Sequence, residues 1–198
     1  MGHAATRGLS VALLGPDGAG KSTVAALLRA QSQTPVKLVY MGLWSESYTA
    51  RFKRAPWLGA VVRPFVAWRR YLVGMGHRRR GRLVIFDRYP YDAFTVPVSW
   101  RSPLRLVYFR LIARSCPGPD LVVVLDAPGR LMLERKHEST ESNLERERAA
   151  YRALAKRLPN VILVDASRDR GMVAADVLRA ISSASDGRRL GPARAVSR

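Results

Sequence analysis

Five short apolar runs alternate along the chain with longer segments whose apolar residues recur at helical spacing. The runs are Leu9–Leu14, Val36–Tyr40, Leu83–Phe86, Leu121–Leu125 and Val161–Val164. Each run is rich in Val, Leu and Ile and shows little polar alternation, which is typical of strands buried on both faces of a parallel sheet. The pattern therefore predicts five parallel β-strands.

The segments between these runs complete an α/β pattern. The predicted helices are Ser22–Ala30, Leu58–Arg80, Leu104–Arg114, Arg130–Glu138, Leu144–Leu158 and Met172–Ile181. Pro64 marks a kink or a boundary in the second helix. Strands that alternate with helices form βαβ units with right-handed crossovers. We therefore predict a single domain over residues 8–184, a doubly wound sheet flanked by helices, with flexible tails at 1–7 and 185–198.

The composition adds an unusual charge to this globular pattern. The chain has 198 residues, of which 47% are hydrophobic and 25% charged, enough for one compact domain with a sizeable core. Its net charge of +19 favours anionic partners such as nucleotides, nucleic acids or an acidic membrane surface. A bias of the composition towards arginine and alanine explains the surface arginines equally well.

Several classes of protein are excluded by the residues that are scarce. With Cys116 as the single cysteine and three scattered histidines, the chain has no intrachain disulfide and no cysteine or histidine metal cluster. No apolar stretch reaches the ~20 residues that a membrane helix needs. The apolar run after Arg7 leads into a glycine-rich loop instead of a signal-peptide cleavage site. We therefore expect a protein of the reducing cytoplasm without a membrane partner.

A phosphate-binding loop joins the first predicted strand to the first predicted helix. Gly15-Pro-Asp-Gly-Ala-Gly-Lys-Ser22 matches the pattern G-x-x-x-x-G-K-[ST]. Glycines let backbone N–H groups face a phosphate, and the following helix adds its N-terminal dipole. In this motif the lysine, here Lys21, pairs with the β- and γ-phosphates of a nucleoside triphosphate, and the hydroxyl of Ser22 coordinates Mg²⁺. The candidate nucleotide-binding residues are Gly15, Gly18, Ala19, Gly20, Lys21, Ser22 and Thr23.

An acidic and a basic residue follow the third predicted strand, at Asp87 and Arg88. Open α/β sheets bind their ligands beyond the carboxyl ends of the strands. Asp87 is therefore a candidate to hold Mg²⁺ or to orient an acceptor, and Arg88 a candidate to clamp a phosphate. The structural alternative is a salt bridge that caps the strand.

These motifs together resemble the thymidylate kinase family of P-loop kinases. The resemblance rests on Gly-Pro-Asp-Gly-Ala-Gly-Lys-Ser-Thr, on Val-Ile-Phe-Asp-Arg-Tyr at the end of the third strand, and on the stretch from Leu125 to Arg135. It covers about residues 8–182. It implies a three-layer P-loop kinase fold with strand order 2-3-1-4-5, ATP with Mg²⁺ as the donor, and a small anionic acceptor that usually carries a phosphate already.

The resemblance also implies roles for single residues. Asp17 would face the acceptor and Arg88 would touch its phosphate, so that both join Lys21 and Asp87 in the catalytic set. Arg135 would lie on the adenine, and Ser167, after the fifth strand, would belong to the same ATP-binding side. An arginine-rich lid at about 130–150 would close over the transferred group. Its arginines are Arg130, Arg146 and Arg148. Related kinases often dimerise through helices, so the resemblance allows a homodimer.

Three departures from the family concern the acceptor. Where thymidylate kinases carry Arg-Glu-Pro-Gly-Gly after the second strand, this chain reads Tyr-Met-Gly-Leu-Trp-Ser-Glu-Ser-Tyr at 40–48. The Ala-Tyr-Gln segment that lines their base pocket is replaced by Pro-Tyr-Asp-Ala-Phe-Thr at 90–95, and the arginines after Trp68 lie at a different spacing. The candidate acceptor-binding residues are Asp17, Trp44, Arg69, Arg70, Arg88 and Asp92.

Three functions follow from these observations. The leading hypothesis is a phosphotransferase that acts on a nucleoside monophosphate or a similar phosphorylated molecule; the alternative is a kinase of a non-nucleotide acceptor, such as a sugar or a natural-product intermediate. A phosphomonoester is already ionised at pH 7, whereas a hydroxyl acceptor requires a carboxylate, from Asp17, Asp87 or Asp92, to take its proton. The third hypothesis, a nucleic-acid-binding module switched by ATP, is disfavoured because the charge is dispersed and no nucleic-acid-reading motif is present.

Overall fold

Five parallel strands form one sheet, in the order β2-β3-β1-β4-β5. The structure is a computed structural model, and it describes residues 7–43, 56–95, 103–137 and 139–189. The strands are β1 Ser10–Leu14, β2 Val36–Tyr40, β3 Leu83–Asp87, β4 Leu121–Asp126 and β5 Val161–Asp165. The predicted strands and their order are confirmed. The central strand β1 pairs with β3 on one side and with β4 on the other.

Helices cover both faces of this sheet, which makes three layers. They are α1 Lys21–Gln31, α2 Pro56–Arg79, α3 Pro103–Ser115, α4 Gly129–Arg135, α5 Glu141–Ala155 and α6 Arg170–Arg189, with a 3₁₀ turn at Pro90–Phe94. Successive side chains of a strand point to opposite faces. Val11 and Leu13 of β1 therefore join the core formed with α1 and α6, whereas Ala12 and Leu14 join the core formed with α2 and α3. This double burial explains the continuous apolar runs of the sequence.

Several helix boundaries differ from those predicted, and three of these differences have a local explanation or effect. Helix α4 ends at Arg135, short of Glu138, and α5 begins earlier than predicted because the Thr140 side chain accepts a hydrogen bond from the backbone N–H of Asn143 and caps the helix. Helix α6 continues to Arg189 and takes in the first residues of the predicted tail at 185–198. Its C-terminal part is rich in Ala and Ser and contains no proline, so nothing in the sequence interrupts it before that point.

Pro64 lies inside α2, and the helix continues through it. A proline has no N–H to donate to the carbonyl four residues earlier, which is that of Ala60. The hydroxyl of Tyr108 on α3 donates a hydrogen bond to this carbonyl. The predicted break is therefore compensated by a neighbouring helix. None of the helices within the described ranges, α2 included, combines the length and the apolar character needed to cross a membrane.

The carboxyl ends of all five strands lie along one edge of the sheet, because the strands are parallel. The glycine-rich loop follows β1 at this edge, and Asp87, Asp126 and Asp165 end β3, β4 and β5. Register places Asp87 of β3 opposite Leu13 of β1, next to the start of the loop. The sheet thus gathers the predicted functional residues from separate parts of the chain.

A buried leucine and an exposed leucine test this account of the core. Leu13 on β1 is 0% exposed, and Leu13→Ala should lower the free energy of unfolding by about 2–5 kcal/mol because it leaves a cavity in close-packed surroundings. Leu111 on α3 is 60% exposed, and Leu111→Ala should change it by no more than about 0.5 kcal/mol. Urea unfolding measures both values, and equal losses would contradict the packing described.

Candidate active site

The glycine-rich loop between β1 and α1 is built on left-handed backbone. Gly18 and Gly20 have φ of 84° and 93°, and Gly20 is the N-cap of α1. A Cβ atom on Gly18 would lie 2.5 Å from the carbonyl oxygen of Met132, so α4 approaches the loop too closely for any side chain there. Glycine is therefore required at this position for two reasons, conformation and space.

The ammonium of Lys21 lies within this loop. Its Nζ donates hydrogen bonds to the carbonyl oxygens of Gly15 and Pro16, at 2.8 and 2.7 Å, and lies 3.6 Å from Oδ1 of Asp17. Burial lowers the pKa of Lys21 to about 8. A cation held in low dielectric at a helix N-terminus interacts strongly with a phosphate that replaces these carbonyl partners.

A cavity of about 480 Å³ opens in front of the loop. It is lined by most of the predicted nucleotide-binding and catalytic residues. These are Asp17, Gly18, Ala19, Gly20, Lys21, Ser22, Thr23, Asp87, Arg88 and Arg135. Gly15 contributes from behind the loop, where its carbonyl accepts the hydrogen bond from Lys21. The sheet edge thus brings the loop, the end of β3 and the end of α4 into one wall.

Arg88 enters this cavity from a left-handed backbone conformation, with φ of 64°. Such conformations are uncommon outside glycine and are concentrated at functional sites. Its guanidinium donates to Oδ1 of Asp17 and lies 4.0 Å from Oδ2 of Asp92. Burial opposes its charge, but the carboxylates of Asp92 and Asp17 hold the pKa of Arg88 above its usual range. Arg88 is therefore a permanent cation enclosed between two acids.

Asp92 lies deeper than the sequence predicts for an acceptor-binding residue. It is 3% exposed and does not line the cavity. Its Oδ1 accepts a hydrogen bond of 2.9 Å from the hydroxyl of Tyr151 on α5, and its Oδ2 has no hydrogen-bond partner among the described residues. Burial raises the pKa of Asp92 to about 6, against the opposing effect of Arg88. Asp92 thus contacts Arg88 from behind.

Two oxygen donors in the cavity wall fit a Mg²⁺ ion. Ser22 and Asp87 both line it, and no hydrogen bond holds the Asp87 carboxylate among the described residues. Across those residues there is no group of three acidic, histidine or cysteine side chains that could hold a metal by itself. Mg²⁺ is usually held by one or two protein oxygens together with substrate phosphates and water, so this sparse donor set suits it.

Comparisons with known proteins agree with this fold. Thymidylate kinase from Candida albicans superimposes with a TM-score of 0.68 and 17% identity, over 89% of this chain and 92% of that chain. Deoxyadenosine kinase from M. mycoides, solved with bound dATP, gives a TM-score of 0.59 and 14% identity, over 88% of this chain and 99% of that chain. The chain has a nucleotide-kinase fold. No family model and no curated protein matches its sequence.

Within this nucleotide-kinase fold, the arginines predicted for the lid have protein partners. Arg148 binds Asp126 with both ends of its guanidinium, at 2.7 and 3.0 Å, and Arg152 binds the same carboxylate at 3.1 and 2.7 Å. Asp126 is nearly buried at the end of β4, where an unpaired carboxylate would be unfavourable. Arg130 is exposed and pairs with Glu134. The structure therefore gives Arg148 an anchoring contact where the sequence predicts one with the transferred group.

The nucleotide-kinase fold also contains cavity residues that sequence reasoning missed. They are Val24, Lys136, Ala166, Arg168, Arg170 and Val173. The backbone N–H and the hydroxyl of Ser167 both donate to Oδ1 of Asp165, so the predicted Ser167 caps the turn while its two neighbours line the cavity. Arg135 donates to the carbonyl oxygen of Ala166 at 3.0 Å. For the residues from Ala166 onward, the position after the carboxyl end of β5 is the signal that could have found them.

Two of the remaining predicted acceptor residues, Arg69 and Arg70, lie on α2. The guanidinium of Arg70 is 5.4 Å from the centre of the Tyr40 ring, which is itself part of the cavity wall. Arg69 is exposed and does not line the cavity. Trp44 lies outside the described residues. Glu147 on α5 is a further acid that the sequence analysis did not identify. Burial, followed by the negative charge of Asp17, raises the pKa of Glu147.

The pKa of Lys21 predicts how nucleotide affinity depends on pH. Bound phosphates require the ammonium form, so above its pKa of about 8 the lysine must take up a proton on binding. The affinity for Mg²⁺ and a non-hydrolysable ATP analogue should then fall by up to about tenfold per pH unit between about pH 8 and 9.5. Calorimetry in two buffers of different ionisation enthalpy measures this proton uptake. Lys21→Arg, which stays charged, should remove it, and an affinity independent of pH in the wild type would contradict the assignment.

Proposed function

We propose that the protein is an ATP-dependent small-molecule kinase, which transfers the γ-phosphoryl group of ATP to an acceptor bound at the carboxyl edge of the sheet. The observation that carries this proposal is the common cavity wall, in which the buried Lys21 ammonium faces the same space as Asp87 and Arg88. A phosphate-binding loop alone would serve a switch or a motor equally well. A second set of charged residues beyond the loop is what a phosphotransferase needs.

The donor half of the cavity would hold the triphosphate and the base. Backbone N–H groups of Gly18 and Gly20 and the ammonium of Lys21 would bind the phosphates. Ser22 and Asp87 would hold Mg²⁺, which neutralises the charge that builds up between the β- and γ-phosphates. The guanidinium of Arg135, kept in place by the Ala166 carbonyl, offers a flat cation on which a purine can stack.

The acceptor half would lie between the loop and the end of β3. Asp17, Asp87, Arg88 and Tyr40 border it. Two classes of acceptor follow from the sequence: a phosphorylated molecule such as a nucleoside monophosphate, which would bind Arg88 through its phosphate, and a molecule that presents a hydroxyl group. In both cases catalysis consists of holding the two reactants in line and stabilising the transferred group.

A substitution in the loop tests the proposed activity. Purified protein with ATP and Mg²⁺ should release ADP in the presence of an acceptor from a panel of nucleosides, nucleoside monophosphates, sugars and sugar phosphates. Lys21→Ala should reduce that turnover by at least about a hundredfold, because the cation that faces the γ-phosphoryl group is lost. A coupled assay that follows ADP measures the effect.

Lys156→Ala is the matched control, since Lys156 is exposed beyond the end of α5 and does not line the cavity. It should leave the rate unchanged. Equal turnover by the wild type and Lys21→Ala, or failure of the wild type to bind ATP in a separate titration, would contradict a kinase that uses this loop.

A further inference from the structure

Acidic side chains flank the cation Arg88 on the acceptor side of the cavity. Among the described residues, Asp17 and Asp87 line the cavity. Asp17 and Asp92 both lie beside the Arg88 guanidinium. A phosphomonoester carries close to two negative charges at pH 7, so these two carboxylates oppose its binding at Arg88.

The charge of Arg88 is already compensated within the protein. Its guanidinium donates a hydrogen bond to Asp17 on one side. On the other side lies the Asp92 carboxylate, with Oδ2 at 4.0 Å. The hydroxyl of Tyr151 donates a hydrogen bond of 2.9 Å to that carboxylate, which is buried. An acceptor phosphate at Arg88 would therefore lie near the negative charges of both Asp17 and Asp92.

The carboxylates beside Arg88 would repel a phosphorylated acceptor and would not repel an uncharged one. A like charge held in a buried site disfavours a dianion strongly, because low dielectric and weak screening enlarge the interaction. An uncharged acceptor meets no such repulsion, and the carboxylates of the wall can accept hydrogen bonds from its hydroxyl groups. Discrimination by a repulsive element is a common route to specificity.

We infer that the acceptor is an uncharged molecule that is phosphorylated on a hydroxyl group, and that Asp92 is a positioning residue that disfavours phosphomonoesters by compensating Arg88. The inference rests on the proposed kinase function and names the substrate class of the same site.

A residue of the cavity wall can accept the proton that the transfer step releases. The hydroxyl oxygen of the acceptor forms a bond to the γ-phosphorus of ATP, while the bond from that phosphorus to the β,γ-bridging oxygen breaks and its electron pair leaves with ADP. The hydroxyl proton passes to Asp17, whose Oδ1 lies 3.6 Å from the Lys21 ammonium and so beside the group being transferred. A weakly basic carboxylate is sufficient, because in a loose transition state the proton leaves late. Asp92, which does not line the cavity, takes no proton from the acceptor.

Methyl phosphate, the smallest phosphomonoester of an alcohol, tests the inference without knowledge of the acceptor. The protein is first saturated with Mg²⁺ and a non-hydrolysable ATP analogue, which fills the loop, and methyl phosphate is then titrated by calorimetry. The wild type should show no Arg88-dependent binding up to about 10 mM. Asp92→Asn should bind methyl phosphate at least about tenfold more tightly, and the gain should disappear in the Asp92→Asn, Arg88→Ala double variant.

Two further variants make the result decisive. Asp17→Asn removes the other partner of Arg88 from a half-exposed loop position, so it should also gain methyl phosphate binding and is available if Asp92→Asn does not fold. Asp186→Asn, an exposed site on α6, changes the net charge equally and should gain nothing. Arg88-dependent binding by the wild type below about 1 mM, or no gain in either variant, would overturn the inference. If the wild type does not bind Mg²⁺ and the ATP analogue in the first step, the proposed use of ATP is contradicted instead. The experiment therefore distinguishes a failure of the inference from a failure of the proposed function.

Discussion

The burial of a charged lysine inside the loop after β1 is the constraint on which the site depends. An ammonium in a nearly closed space would be unfavourable without partners, and here two loop carbonyls and the Asp17 carboxylate provide them. Those contacts need a backbone that turns through left-handed glycines and a helix that begins at Lys21 itself. They also need β1 at the centre of the sheet, where helices cover both of its faces. The fold and the phosphate site therefore share one physical requirement.

The same loop connects the proposed donor and acceptor halves of the cavity. Asp17 contacts Lys21 through its charge and Arg88 through a hydrogen bond. Arg88 continues the contact to Asp92, and Tyr151 extends it to α5. Charges of alternating sign thus run from the loop, across the end of β3, to a helix on the far side. Under the proposed function, an acceptor at Arg88 would meet a cation that is already paired with two acids, so the charge of the acceptor would decide how well it binds.

Local sequence was sufficient to predict the sheet and the loop. Each strand is a run of neighbouring residues, and the loop motif carries its own geometry. The placement of Lys21, Ser22, Asp87 and Arg88 at one edge of the sheet could therefore be predicted without a structure. The hydrogen bonds between residues distant in sequence, which set the charge and position of site residues, could not be predicted. Asp92 accepts a hydrogen bond from Tyr151, which is 59 residues later in the chain, and Asp126 accepts one from Arg148, which is 22 residues later. Such contacts depend on how α5 packs over the sheet edge, which a pattern of apolar positions does not specify.

The proline within α2 restricts which residues homologous sequences are expected to carry at positions 64 and 108. Pro64 has no N–H to donate to the carbonyl of Ala60, and the hydroxyl of Tyr108 donates a hydrogen bond to that carbonyl instead. A homologue with any other residue at position 64 would regain the helical N–H and have no use for a hydroxyl at position 108, where phenylalanine would serve. A homologue with proline but without the hydroxyl would leave a carbonyl unsatisfied. The two positions are therefore expected to co-vary, although they belong to different helices.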